Sequence, residues 1–191
     1  MSNKRILIWY RNDLRIHDHE PLYQAIKQGA LIIPFYCFDI RQFKTTSFGF
    51  PKTGNFRGQF LLESVTDLKK SLQDLGSNLI IRQGYPEKII PELIKQLEID
   101  AVYFHEEVTS EETDIENTVE KALKPLNVTF KGFWGATLYH WDDLPFEVSK
   151  LPEVFTSFRK KVEKNSTVNP ILISPRTVSY THLTLPTNTV V

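Results

Sequence analysis

The segment Arg5-Ile-Leu-Ile-Trp-Tyr10 runs directly into Arg11-Asn-Asp-Leu-Arg15 and on to Asp18. Five consecutive apolar residues without alternation describe a strand buried on both faces, as in a parallel sheet covered by helices. The turn that leaves it holds no glycine, so the backbone cannot close on a pyrophosphate as a Gly-x-Gly-x-x-Gly turn does. An α/β fold without a dinucleotide fingerprint is the first expectation. Four more short β-branched or aromatic segments follow at Leu31–Phe38, Asn78–Arg82, Ala101–Phe104 and Val128–Phe133. Between them lie stripes of helical period. Leu22, Ala25 and Ile26 mark a short first helix with Asp18 near its start. Leu61, Val65, Leu68, Leu72 and Leu75 predict a helix from about Arg57 to Leu75, stopped by Gly76. Ile89, Ile90, Leu93, Ile94 and Leu97 follow Pro86, with Pro91 expected to bend that helix, and Ile115, Val119 and Leu123 form the last stripe. Strand–helix alternation predicts a Rossmann-like or flavodoxin-like five-stranded parallel sheet in the order 3-2-1-4-5, with helices on both faces. The long connection from Asp39 to Asn55, carrying Phe43, Phe48 and Phe50, reads as a surface loop with aromatic anchors.

The chain has 191 residues and 22.2 kDa, 41% hydrophobic and 24% charged, which suffices for one sizeable core and excludes disordered, collagen-like and coiled-coil classes. Lys+Arg and Asp+Glu are 23 each, so the overall balance signals no nucleic-acid or acidic-membrane partner. The single cysteine, Cys37, excludes an internal disulfide framework and fits a reducing compartment. No apolar run approaches the ~20 residues that span a bilayer, and no signal core follows the N-terminus. A soluble, cytoplasmic protein is expected. Glu163 is the last acidic residue of the chain, leaving 28 without one.

Ligand chemistry in such a sheet belongs at the carboxyl ends of the strands near the switch in strand order, between the first and fourth strands. Two loops reach that place. Arg11, Asp13, Arg15 and Asp18 alternate in the first, with Asn12 between them, and are numerous enough to pair among themselves as a salt-linked turn. His105, Glu106, Glu107, Glu111 and Glu112 follow the fourth strand. A carboxylate there can take two parallel hydrogen bonds from a flat heterocycle with adjacent N–H groups, such as an aminopyrimidinone edge. The competing reading is a capping box, Thr109-Ser-Glu-Glu112, in which Glu112 serves only the helix end. Pro51-Lys-Thr-Gly54 lacks the order of a phosphate loop, and the five histidines show no metal-ligand spacing, so no metal site is expected. Trp134, Tyr139, Trp141 and Phe146 cluster around Asp142-Asp143 and suit core packing, an interface or a ligand wall. Arg159, Lys160, Lys161 and Lys164 read as a solvated helical face.

Several separated motifs together resemble the photolyase/cryptochrome family. Trp9-Tyr-Arg-Asn-Asp-Leu-Arg-Ile-His-Asp18 is similar to its opening motif. Phe38-Asp-Ile-Arg-Gln-Phe43, Gly49-Phe-Pro-Lys-Thr-Gly-Asn-Phe-Arg57 leading into Phe60-Leu-Leu-Glu-Ser-Val65, and Trp134-Gly-Ala-Thr-Leu-Tyr-His-Trp-Asp-Asp-Leu-Pro-Phe146 resemble its DASH branch. The resemblance covers about Lys4 to Pro175. It departs at His19, where many relatives have Asn, which bears on a local hydrogen bond.

That resemblance implies the N-terminal antenna domain of a DASH-type cryptochrome, a deoxyribodipyrimidine photolyase (carbon–carbon lyase) for cyclobutane pyrimidine dimers in single-stranded DNA. It implies an antenna chromophore, 5,10-methenyltetrahydrofolate, contacted by Glu112, or by Glu111 if the alignment shifts by one, with Arg11, Asn12, Asp13 and His105 lining the crevice. FAD, DNA contact and catalysis belong in that family to a following all-helical domain, so no catalytic residue is expected here and repair is not expected of these residues alone. The implied division is an α/β domain over 1–134, an irregular segment and linker start over 135–175, and a non-native or disordered tail over 176–191, which holds five threonines and no acid. Two rival readings remain: a stand-alone flavodoxin-like or universal-stress-type nucleotide-binding module, and a ligand-free interaction domain docking through Trp134–Phe146.

Overall fold

A computed structural model describes residues 3–178. Its elements run β1 (Arg5–Tyr10), α1 (Glu20–Lys27), β2 (Leu31–Asp39), α2 (Asn55–Asp74), β3 (Ile80–Gly84), α3 (Pro86–Leu97), β4 (Ala101–His105), α4 (Ser110–Leu123), β5 (Thr129–Phe133) and α5 (Phe155–Asn165). The five strands form one parallel sheet in the order β3-β2-β1-β4-β5, as expected. Side-chain alternation along β1 divides the interior in two. Ile6, Ile8 and Tyr10 pack with Leu22 and Ala25 of α1 and with Val65, Leu68 and Leu72 of α2. Leu7 and Trp9 point the other way, onto Ile90, Leu93, Ile94 and Leu97 of α3 and Val119 and Leu123 of α4. Each fully buried aliphatic side chain contributes about 1.5–3 kcal/mol of burial, so both faces of β1 hold the fold together.

Local departures from the sequence expectations have identifiable causes. The cap of α1 is His19, whose Nδ1 accepts from the Leu22 N–H at 3.2 Å, rather than Asp18. Asp18 sits at φ 48°, and its carboxylate accepts from Leu172 N at 3.1 Å. Pro91, where a bend was expected, lies inside α3 without ending it. The missing N–H there forfeits only one bond, to Glu87, close to the helix start. Of the phenylalanines in the 39–55 connection, Phe43 packs against Phe38 with ring centroids 6.3 Å apart, whereas Phe48 and Phe50 are exposed and stack on each other at 6.1 Å. Polar groups also tie it down. Asp39 caps a 3-10 turn at Ile40–Phe43, and Arg41 bridges the Asp39 and Glu87 carboxylates at 2.6 and 2.9 Å. After β5 the chain makes 3-10 turns at Trp141–Asp143 and Val148–Lys150 before α5. Among the described residues no helix is long and apolar enough to cross a membrane. Of the segment expected to form a tail, residues 179–191 lie outside the described residues.

Candidate functional site

A crevice opens at the carboxyl ends of β1 and β2, walled on the far side by the first turns of α3 and α4. It encloses about 410 Å³ out to open solvent. Trp9 to Asn12 supply its floor, Asp39 and Gln42 one side, Glu112 and Ile115 the other. It therefore lies over β1 and β2 and reaches α4, broader than the β1/β4 switch point alone.

Three of the six sequence-derived site residues line this crevice: Arg11, Asn12 and Glu112. Arg11 is not free to hold an anion. Its guanidinium is ion-paired with Glu116, lies 4.8 Å from the Trp9 ring centroid and donates to the Glu112 carbonyl at 3.3 Å. Glu116 also accepts the Glu107 N–H at 3.0 Å, and burial raises its carboxyl above the ordinary value despite the adjacent Arg11. Asn12 donates to Glu107 at 2.7 Å. Glu111 is ion-paired with Lys52 of the long connection. The Glu112 carboxylate takes part in no hydrogen bond or ion pair among the described residues, and Thr109 makes no side-chain cap bond. The capping box is thus not formed, and one acceptor carboxylate faces the crevice unengaged.

Asp13 and His105 lie beneath this surface, buried, rather than on its wall. One Asp13 oxygen accepts from His19 Nε2 and from His105 Nδ1, each at 2.7 Å, and the other accepts the Arg11 N–H at 2.8 Å. Burial alone would raise this carboxyl; the hydrogen bonds from His105 and His19 outweigh it and hold it well below the usual carboxylate range. The expected pairing among Arg11, Asp13, Arg15 and Asp18 does not occur, because Arg15 donates instead to the carbonyls of His17 and Asp18. The facing atoms of Asp13, His19 and His105 lie within 4.8 Å of one another, close enough to surround a metal ion. The cap bond argues for a different role. With His19 Nδ1 accepting from Leu22, the proton sits on Nε2 and points at Asp13, so that nitrogen has no lone pair to give a metal without losing the helix cap.

Sequence reasoning missed Glu116 and His19. Glu116 was legible in principle, since it stands four residues after Glu112 on the face of α4 that also carries Ile115. His19 stood out in the sequence only as a departure bearing on a local hydrogen bond, and its bonds to Asp13 and the Leu22 N–H appear only in the folded turn. The Trp134–Phe146 segment is only partly buried. Trp134 donates to Thr137 at 2.7 Å, Phe146 packs on Phe158 at 5.6 Å, and Trp141 is exposed. Cys37 is buried, and that burial pushes its thiol up to about 12.

The family model described as DNA photolyase matches residues 6–176. The chain is 56% identical over 175 residues to the cryptochrome DASH of Gloeobacter violaceus, covering 92% of this chain and 35% of that protein. It is 50% identical over 178 residues to that of Xenopus laevis, covering 92% and 34%. The crystal structure of a Synechocystis cryptochrome superposes with a TM-score of 0.89 at 45% identity, over 93% of this chain and 37% of that one. An archaeal photolyase from Sulfolobus tokodaii, solved with two FAD molecules, shares the fold at a TM-score of 0.78 and 23% identity over 93% and 38%. The chain spans about a third of the length of these proteins.

Proposed function

Because the chain belongs to the DNA photolyase family, we propose that it is the light-harvesting α/β domain of a DASH-type cryptochrome, holding a folate antenna through Glu112. The unengaged Glu112 carboxylate on the crevice wall carries this reading. Its two oxygens can accept paired N–H groups from the aminopyrimidinone edge of 5,10-methenyltetrahydrofolate, while Asn12, Gln42 and Ile115 offer polar and apolar contact to a flat ring. When bound, the folate would supply absorption of near-ultraviolet or blue light. The chain's own contribution is to bind and orient that ring. Repair of cyclobutane pyrimidine dimers in single-stranded DNA, and the FAD it requires, are proposed for the longer protein in which such a domain works. A nucleotide-binding reading fits the crevice less well. Its one guanidinium is already neutralised by Glu116, and a phosphate would meet the Glu112 carboxylate.

Folate titration followed by absorbance, on the chain and on Glu112→Gln, tests the reading. Losing one charge-assisted acceptor pair is expected to weaken binding by about 10-fold or more, with the melting temperature unchanged because Glu112 caps nothing. Unchanged affinity would reject the role of Glu112. Thermal stabilisation by ATP but not by folate would overturn the antenna reading.

A further inference from the structure

Glu112 and Glu116 stand four residues apart on α4, a spacing that makes their side chains neighbours on one face. One guanidinium reaches both residues. Arg11, on the turn that leaves β1, is ion-paired with Glu116 and donates to the Glu112 carbonyl at 3.3 Å. Only 8% of the Arg11 side chain and 13% of the Glu116 side chain are exposed. A cation so far out of water needs an anion beside it, because removing one partner of a buried pair costs far more than the intact pair contributes. The other acids nearby are occupied or turned away. Glu107 accepts from Asn12, Glu111 is ion-paired with Lys52, and Glu106 lies against Gly132 of β5. Glu112, unengaged and one turn from Glu116, is the carboxylate that Arg11 would otherwise meet. Glu116 is itself held in place, since it also accepts the Glu107 N–H at 3.0 Å.

We propose that Glu116 is a positioning residue for the crevice: by holding the Arg11 guanidinium it keeps Arg11 off the Glu112 carboxylate, which then stays open to a ligand bearing paired N–H groups. This rests on the proposed function, in that it takes Glu112 to be the acceptor for the folate ring edge. Arginine is the natural competitor of such a ligand. Its planar fork presents parallel N–H donors that match a carboxylate in the same bidentate way, and being part of the chain it competes at high effective concentration. Without the Glu116 charge, the crevice's own arginine closes the acceptor. Glu116 does not line the crevice, so it acts through Arg11 and Glu112 rather than on the ligand. Charge rather than shape is what it supplies.

The test follows 5,10-methenyltetrahydrofolate binding by absorbance in the parent chain, Glu112→Gln, Glu116→Gln, Glu112→Gln/Glu116→Gln and Arg11→Met/Glu116→Gln, each first shown to melt cooperatively. Glu116→Gln removes the charge and keeps an oxygen for the Glu107 N–H. It is expected to weaken binding by about 10-fold or more, and to add little to the loss already caused by Glu112→Gln. Arg11→Met/Glu116→Gln leaves neither partner charged, so it also serves where Glu116→Gln does not fold. It is expected to recover most of the affinity, binding about 10-fold more tightly than Glu112→Gln. A crystal structure of Glu116→Gln is a readout that needs no folate, and is expected to show Arg11 at salt-bridge distance from the Glu112 carboxylate. No recovery in the Arg11→Met/Glu116→Gln chain would make Glu116 a structural support only and overturn the proposal. So would parental affinity in Glu116→Gln, or an Arg11 that stays away from Glu112 in its crystals. With Glu112→Gln still weakening binding, those results leave the antenna reading standing. Unchanged affinity in Glu112→Gln would instead reject the reading on which the proposal rests.

Discussion

Asp13 is the residue on which the β1–α1 turn, the start of α1 and the end of β4 converge. Replacing it with Asn is expected to cost about 3 kcal/mol, measurable by urea unfolding, because a buried set of donors then loses its anionic acceptor. His19 adds a pH dependence. Burial lowers its pKa, outweighing the hydrogen bond and charge of Asp13, and protonation at Nδ1 would set two donors against each other at the Leu22 cap. A depressed folded pKa contributes stability that is fully present above the unfolded value, near ~6.5, and is lost as pH falls through the lower folded value. Unfolding midpoints are therefore expected to fall on acidification below about pH 6.5. His19→Asn keeps a capping side chain and should flatten that slope in the same range. An identical slope in both proteins would place the acid sensitivity elsewhere. The sequence placed Asp13 and His105 at one crevice, but not in hydrogen-bond contact with each other. His105 stands 92 residues away from Asp13, and only the pairing of β1 with β4 brings them together.

Among the elements, strands and long helices were largely legible, because continuous apolar runs and a 3.6-residue stripe each bury in one way only. The 39–55 connection was not. Phe43, Phe48 and Phe50 suggested anchoring; only Phe43 packs on the domain, against Phe38, and the polar tie is the Asp39–Arg41–Glu87 network, whose third member comes from α3. The end of β5 makes a sharper demand. A Cβ on Gly135 would lie 2.5 Å from His105 Nε2, and one on Gly132 2.3 Å from Glu106 Oε1. His105 is locked by Asp13 and cannot swing away, so Gly135→Ala is expected to destabilise by about 1–3 kcal/mol in thermal unfolding. Pairing it with His105→Ala should recover part of that loss through removal of the clash, a coupling read from the double-mutant cycle. No recovery would mean that the glycine is required for another reason. Arg159, Lys160, Lys161 and Lys164 on α5 are largely solvated, with Arg159 3.8 Å from Glu163, as their spacing suggested.

For the whole molecule, a two-layer interior around one parallel sheet leaves the chemistry at the carboxyl ends of its strands and the first half of α2 without a buried residue. The isolated chain is accordingly expected to show no light-driven dimer repair with thymine-dimer oligonucleotides, even when saturated with folate; restored thymines under blue light would contradict that division of labour. By itself the sequence determined the α/β class, the strand order and the family, because hydrophobic period and the Arg11–Asp18 turn are local properties that survive without knowledge of partners. Tertiary structure alone decided which carboxylates are engaged and which is left free. Glu111, Glu112 and Glu116 share one helix and one chemistry, yet Lys52 takes the first and Arg11 the last. Glu112 is left facing the crevice because charge pairing depends on distance between segments, which chain order does not encode. The exposure of Phe56 and Phe60 on α2 belongs to the same class, since a helical stripe records which face is apolar and not whether anything within the chain reaches it.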